Sequence, residues 1–119
     1  MKKISILLFV CIIGLAGMSL HVEAQLLPTK LRVTVIDGLG NFVPGAMVAI
    51  YDNEKDYLAS ENPVASMKTD SKGRVTFKEL ETRSYFIEAK KGDMTNDGEG
   101  VQTGVLSEGR INKVNTVIE

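Results

Sequence analysis

The side chains best able to do chemistry gather in two loops. Asp93-Met94-Thr95-Asn96-Asp97-Gly98-Glu99 sets oxygen donors at Asp93, Thr95 and Asp97 with Gly98 at the sixth place. That spacing matches the first half of a calcium loop, in which hard carboxylates surround a hard cation. The second half departs from it, because the twelfth place is Gly104 where a bidentate Glu is required. Calcium on Asp93, Thr95 and Asp97 is one reading of the segment, and a solvated hairpin loop without a cofactor is the other.

The second loop runs from Asp52 to Asn62 and carries Tyr57, with Tyr51 just before it. Aromatic faces beside carboxylates and amides can stack on a sugar ring and hydrogen-bond to its hydroxyls. The alternative is a capping turn whose Tyr57 and Leu58 fold back over the edge of the core. The chain has no tryptophan, which weighs against the sugar reading.

Export changes what other chemistry is open. Lys2 and Lys3, the apolar run Ile4 to Leu20 and Val22-Glu23-Ala24 read as the basic, apolar and small-residue segments of a cleavable signal peptide, residues 1–24. The alternative is an uncleaved membrane anchor, for which the run, with Gly14, Gly17 and Ser19, is marginal in length. Val10 before Cys11 stands where a lipidation signal needs a small residue. Cleavage after Ala24 removes Cys11 and His21, the chain's one cysteine and one histidine. Nucleophilic triads built on imidazole, and zinc sites that need His, are then closed to the mature chain, which is expected not to be an enzyme. Disulfides are closed as well, so a periplasmic or extracellular domain of this composition is held by its core alone.

Cleavage takes the 14 Lys and Arg and 15 Asp and Glu of the full chain to 12 and 14, a net charge of −2. That balance does not point to nucleic acid, whose binders carry a clustered basic face. One domain is expected from the length that remains.

The elements that position the two loops read as strands. After a leader at 25–29, Leu31, Val33 and Val35 alternate with polar residues, and Asp37-Gly38-Leu39-Gly40-Asn41 turns the chain. Val48 and Ile50 mark a second strand. Asn53 to Ala59 predicts a short helical turn capped by Asp52 or Asn53, stopped by Pro63. Val64 to Thr69 predicts a third strand, and Asp70-Ser71-Lys72-Gly73 turns into a fourth with Val75 and Phe77 inward. Tyr85, Ile87 and Ala89 face inward on a fifth, where Phe86 spoils the polar side. Lys91 to Gly100 reads as the least structured stretch, Val101 to Leu106 as a sixth strand, and Val114, Thr116 and Ile118 as a seventh. The sum is a small all-β sandwich.

In their order these pieces resemble the carboxypeptidase regulatory-like domain. They are VTVIDGLGN from Val33, Val43-Pro44-Gly45-Ala46 before Val48 and Ile50, Thr69-Asp70 through Gly73, and Leu80 followed by Tyr85. The resemblance spans nearly all of Leu31 to Glu119, and the ending from Gly100, GVQTGVLSEGRINKVNTVIE, is similar to small exported single-domain proteins of Bacteroidota type. It implies a seven-stranded antiparallel, transthyretin-like Greek-key sandwich at 30–119. It also implies a periplasmic or extracellular location and a non-catalytic role through protein or cell-envelope contacts. A carbohydrate-binding-like fold is the name often given to such domains, which keeps a glycan as the alternative partner. Related surface sandwiches join first and last strands by a Lys-Asn isopeptide bond. Lys30, Glu88 and Asn115 supply the residue types, on faces where plain solvation is the competing reading.

Overall fold

The computed structural model describes residues 27–119, so the signal-peptide reading of 1–24 and the start of the leader lie outside the described residues. Seven strands and one helix follow: β1 (Lys30–Asp37), β2 (Met47–Tyr51), α1 (Glu54–Ala59), β3 (Ala65–Lys68), β4 (Arg74–Phe77), β5 (Phe86–Lys91), β6 (Met94–Thr95) and β7 (Ile111–Ile118). They form a three-stranded sheet, β4-β1-β7, facing a four-stranded sheet, β3-β2-β5-β6. Among the described residues no helix is long and apolar enough to cross a membrane.

Alternation dictates the packing. Leu31, Val33 and Val35 of β1, Val75 and Phe77 of β4 and Ile118 of β7 point inward from one sheet; Val48, Ile50, Ile87 and Ala89 meet them from the other. Each fully buried aliphatic of this kind contributes about 1.5–3 kcal/mol. With no thiol in the described residues, that layer holds the fold without a disulfide.

Two expectations are corrected. The sheets are antiparallel except where β1 and β7 lie side by side in parallel, Lys30 opposite Ile111 through Asp37 opposite Ile118. No hairpin links first and last strands, so nothing local forces them antiparallel. The expected strand at Val101–Leu106 is an extended loop instead, held to the β5 edge by isolated bonds such as Ile87 N to Val101 O (2.7 Å) and Thr103 N to Tyr85 O (2.8 Å). The sheet position is taken by β6, which pairs Thr95 with Lys90 and Met94 with Lys91.

Side chains complete the ladders where strands end. Asn96, 1% exposed, donates its own N–H to Ala89 O (3.2 Å) and accepts the Ala89 N–H on Oδ1 (3.0 Å). Its Nδ2 donates to Ile87 O (2.9 Å) and Thr116 Oγ1 (3.0 Å), tying β5 to β7 across the sandwich. Thr69 repeats the device on Ala46, and Thr103 on Tyr85. Among the described residues no buried side-chain polar atom lacks a partner, as close-packed interiors require.

The turns are set by carboxylates. Asp37 Oδ1 accepts the Asn41 and Leu39 amides (both 2.9 Å), and Asp70 Oδ1 accepts those of Lys72 (2.8 Å) and Arg74 (3.0 Å). These N–H groups, Asn41 foremost for Asp37 and Arg74 for Asp70, hold both carboxyls below the usual carboxylate range. Gly73 needs to be glycine: its φ is +72°, and a Cβ there would stand 2.7 Å from Val35 O and 3.0 Å from Val43 N.

Candidate functional site

β2 and β5 present Tyr51, Phe86, Glu88 and Lys90 on the outer face of the four-stranded sheet, with Tyr51 opposite Phe86 and Ala49 opposite Glu88. α1 lies over this face. Asn53 caps it, accepting the Asp56 N–H on Oδ1 (2.8 Å), and Ser60 ends it in the left-handed conformation at φ 52°. The helix delivers Tyr57 onto Phe86 in a stacked pair (centroids 5.5 Å, 22° between planes) and edge-on to Tyr51 (5.9 Å, 71°). Phe86 breaks the polar side of its strand because it is the seat for Tyr57. Pairs of this geometry add about 0.5–1.5 kcal/mol beyond area burial.

Glu88 is the polar centre. Oε1 accepts the Tyr51 hydroxyl (3.0 Å), Oε2 accepts Ser60 Oγ (2.6 Å), and the Lys90 ammonium stands 3.5 Å from Oε2. Burial, then the Glu88 hydrogen bond and charge, pushes the Tyr51 hydroxyl up to about 12. Burial, then the charge of Asp97, raises Tyr57.

The two loops singled out in the sequence meet here in part. A groove of about 300 Å³ is lined by Tyr57, Leu58 and Ser60 from the helix side and by Glu88, Lys90, Thr95 and Asp97 from β5 and the segment after it. Thr95 and Asp97 therefore join Tyr57, whereas Asp93 sits in the β5-β6 turn and does not line the groove. Tyr51 is 2% exposed and acts behind the wall. Asn96, between the two loop donors, is turned into the core. Among the described residues no three His, Cys, Asp or Glu side chains gather as a metal-holding group. The groove offers hydroxyls, two carboxylates at Glu88 and Asp97 and one ammonium at Lys90, an arrangement for hydrogen-bonded binding.

Lys30, Glu88 and Asn115 do not come together. Lys30 and Asn115 are four register positions apart on neighbouring strands, roughly 13 Å at about 3.3 Å per residue, and Glu88 belongs to the opposite sheet.

One feature went unread in the sequence: β3 is an open edge. Thr69 N donates to Ala46 O (2.8 Å), which fixes the alternation so that Ala65 and Met67 bond toward β2. The N–H and C=O of Ser66 and Lys68 then face outward, where no further strand lies. Val64 and Met67 (each 45% exposed) and Met47 (42%) surround them. A run as ordinary as Ala65-Ser66-Met67-Lys68 names a strand without saying that it stands last in its sheet.

No protein-family model and no curated protein matches this chain. Solved structures do resemble it. The Bacillus anthracis TIE protein superposes with a TM-score of 0.54 at 23% identity, over 77% of this chain and 17% of that one. The streptococcal ancillary pilin gives 0.56 at 15% identity, over 77% of this chain and 32% of its own. The chain spans less than a third of either structure's length, and the likeness establishes the β-sandwich fold alone.

Proposed function

We propose that this protein is a non-catalytic exported β-sandwich module that works through protein contacts in the cell envelope, offering β3 as a strand to a partner. The observation that carries the reading is the unpaired outward edge at Ser66 and Lys68 with its apolar surround. Main-chain donors and acceptors on an open edge supply affinity, and flanking side chains supply selectivity. The short strand and Lys68 are what an edge needs to avoid indiscriminate pairing. The resemblance of the fold to that of an ancillary pilin fits a surface setting, periplasmic or extracellular, as does the signal peptide at 1–24 with a leader at 25–29 and the domain at 30–119. The carboxypeptidase regulatory-like affiliation is part of the same proposal, resting on the motifs at Val33–Asn41, Val43–Ala46, Thr69–Gly73 and Leu80–Tyr85. Placing Cys11 and His21 within the signal peptide leaves the domain without thiol or imidazole, which supports a binding role over catalysis.

A photo-crosslinking residue at Lys68, introduced in the producing cell, is expected to give a discrete adduct that disappears with Ser66→Pro. That substitution removes an outward N–H the fold does not use, so thermal stability should stay close to that of the parent. Adducts of equal yield from Lys55 on the far side of α1, or adducts indifferent to Ser66→Pro, would refute the edge.

A second reading is a glycan partner, favoured by the hydroxyl and carboxylate lining of the groove at Tyr57, Thr95 and Asp97. Tyr51 then acts only as a support, and Phe86 already takes one face of Tyr57. Calcium, if it is a cofactor, enters at Thr95 and Asp97 with Asp93 as the outlying donor. A glycan array blank for the parent, or unchanged by Tyr57→Ala, removes this reading, and a heatless calcium titration removes the metal.

A further inference from the structure

The net charge hides a strong asymmetry. On β4-β1-β7 the outward positions form a grid set by register: Arg32 beside Thr76 and Lys113, Thr34 beside Arg74 and Asn115, and Lys30 beside Ile111. Lys78 extends the outward side of β4 beyond its last residue and is exposed. Five cations thus share one face; no Asp or Glu occupies an outward position within the three strands, and Glu119, one residue past β7, is the carboxylate that follows on this side at the apolar end. The ion pair found among the described residues, Lys90 with Glu88, is on the other sheet. Strands about 4.8 Å apart place these charges as a two-dimensional array without a groove.

The same face ends in an apolar row. Phe42 bridges to Ile36, which lies opposite Val117, so Phe42, Ile36 and Val117 continue the grid past Thr34. Phe42 is 56% exposed, and Leu39 in the adjoining turn is 89% exposed. A flat cationic field finishing in an aromatic and an aliphatic side chain at a turn has the composition of a surface that lies on a bilayer. There the charges meet headgroups and the apolar tip enters the interface. A linear polyanion would need a stripe or channel; the groove at Tyr57 belongs to the other sheet, and the hollow beside Val117 is lined by Asp97, Glu99 and Glu119, whose carboxylates repel an anion.

We propose that the outer face of β4-β1-β7 docks on anionic phospholipid, with Lys30, Arg32, Arg74, Lys78 and Lys113 over the phosphates and Leu39 and Phe42 inserted. The dock is independent of the β3 edge, which belongs to the other sheet, and leaves that edge open to a protein.

The test is flotation of the exported product with vesicles of phosphatidylcholine and phosphatidylglycerol, against phosphatidylcholine alone. The parent is expected to float with the anionic vesicles and to be released by salt. Lys30→Gln with Lys113→Gln should lower partitioning about 30-fold, at about fivefold per charge near the surface. Neither ammonium makes an internal bond, so both variants should fold. Lys68→Gln with Lys90→Gln, on the opposite sheet, should bind as the parent does. Leu39→Trp gives a sole tryptophan whose emission should shift to the blue on anionic vesicles. Undiminished binding by the Lys30 and Lys113 pair overturns the dock, as do equal binding to neutral vesicles, an unshifted Leu39→Trp emission, and retention on an acidic polysaccharide or nucleic acid without flotation.

Discussion

Replacing Asn96 with Ala tests whether a buried amide stitches the two sheets. Three partners lose their bonds together: the Ala89 N–H, the Ile87 C=O and the Thr116 hydroxyl. Each buried group left unsatisfied costs about 1–3 kcal/mol, and the site is 1% exposed, so water reaches it poorly. Thr116 Oγ1 keeps a 3.3 Å contact to Glu99 O, which eases its share. The expected loss is about 3–5 kcal/mol, a large part of the roughly 5–15 kcal/mol that stabilises a domain. Thr116→Val removes the shared bond and the long one to Glu99 O, leaves Asn96 its other partners, and should cost about 1–2 kcal/mol. Chemical denaturation of the single variants and of the pair measures the terms, and the pair should cost less than the sum because the Asn96 to Thr116 bond is counted twice. An Asn96→Ala loss under about 1 kcal/mol would refute the reasoning, since it would mean that the stranded groups find water or each other.

Two further outcomes follow from the geometry. Tyr51, raised to about 12, favours its neutral form when folded, so its contribution is complete below its unfolded value near 10 and is lost as pH climbs toward about 12. Ultraviolet titration compared with Tyr51→Phe should find Tyr51 ionising late, and Glu88→Gln should bring it earlier; ionisation near 10 in the parent would contradict the buried pair. Gly73→Ala should cost more than about 2 kcal/mol by thermal unfolding, because strain at positive φ adds to contact with fixed backbone. Gly40→Ala, at φ +85° with open space around it, should cost only about 1 kcal/mol. Equal losses at the two glycines would show that the close approach is unimportant.

Residue alternation made six of the strands legible. Leu31, Val33, Val35, Val48, Ile50, Val75, Phe77, Ile87, Ala89 and Ile118 are buried as their spacing requires, and the helical turn starts at Asn53 as its cap predicts. What escaped is what has no period. Met94–Thr95 is two residues long, too short to alternate, and Asn96 beside it is polar yet buried because its amide replaces a missing strand. Thr103 does the same for Val101–Leu106, whose apolar residues imitate a strand. The parallel placement of β1 against β7 and the open side of β3 are facts of topology, set by residues far apart in sequence. The site was half visible: Tyr57, Thr95 and Asp97 share a groove, but Tyr51 lies covered beneath α1 on the outer face of its sheet, where it holds Glu88. The basic face went unseen because net charge averages over surfaces that the fold separates.

The neighbouring, like-directed first and last strands have a mechanical consequence. The chain enters β1 at Lys30 and leaves β7 at Ile118, at opposite poles of one ladder. Tension applied between those poles pulls the two strands lengthwise past each other, loading every rung at once instead of peeling them singly. A domain wired this way yields late under stretching along that line.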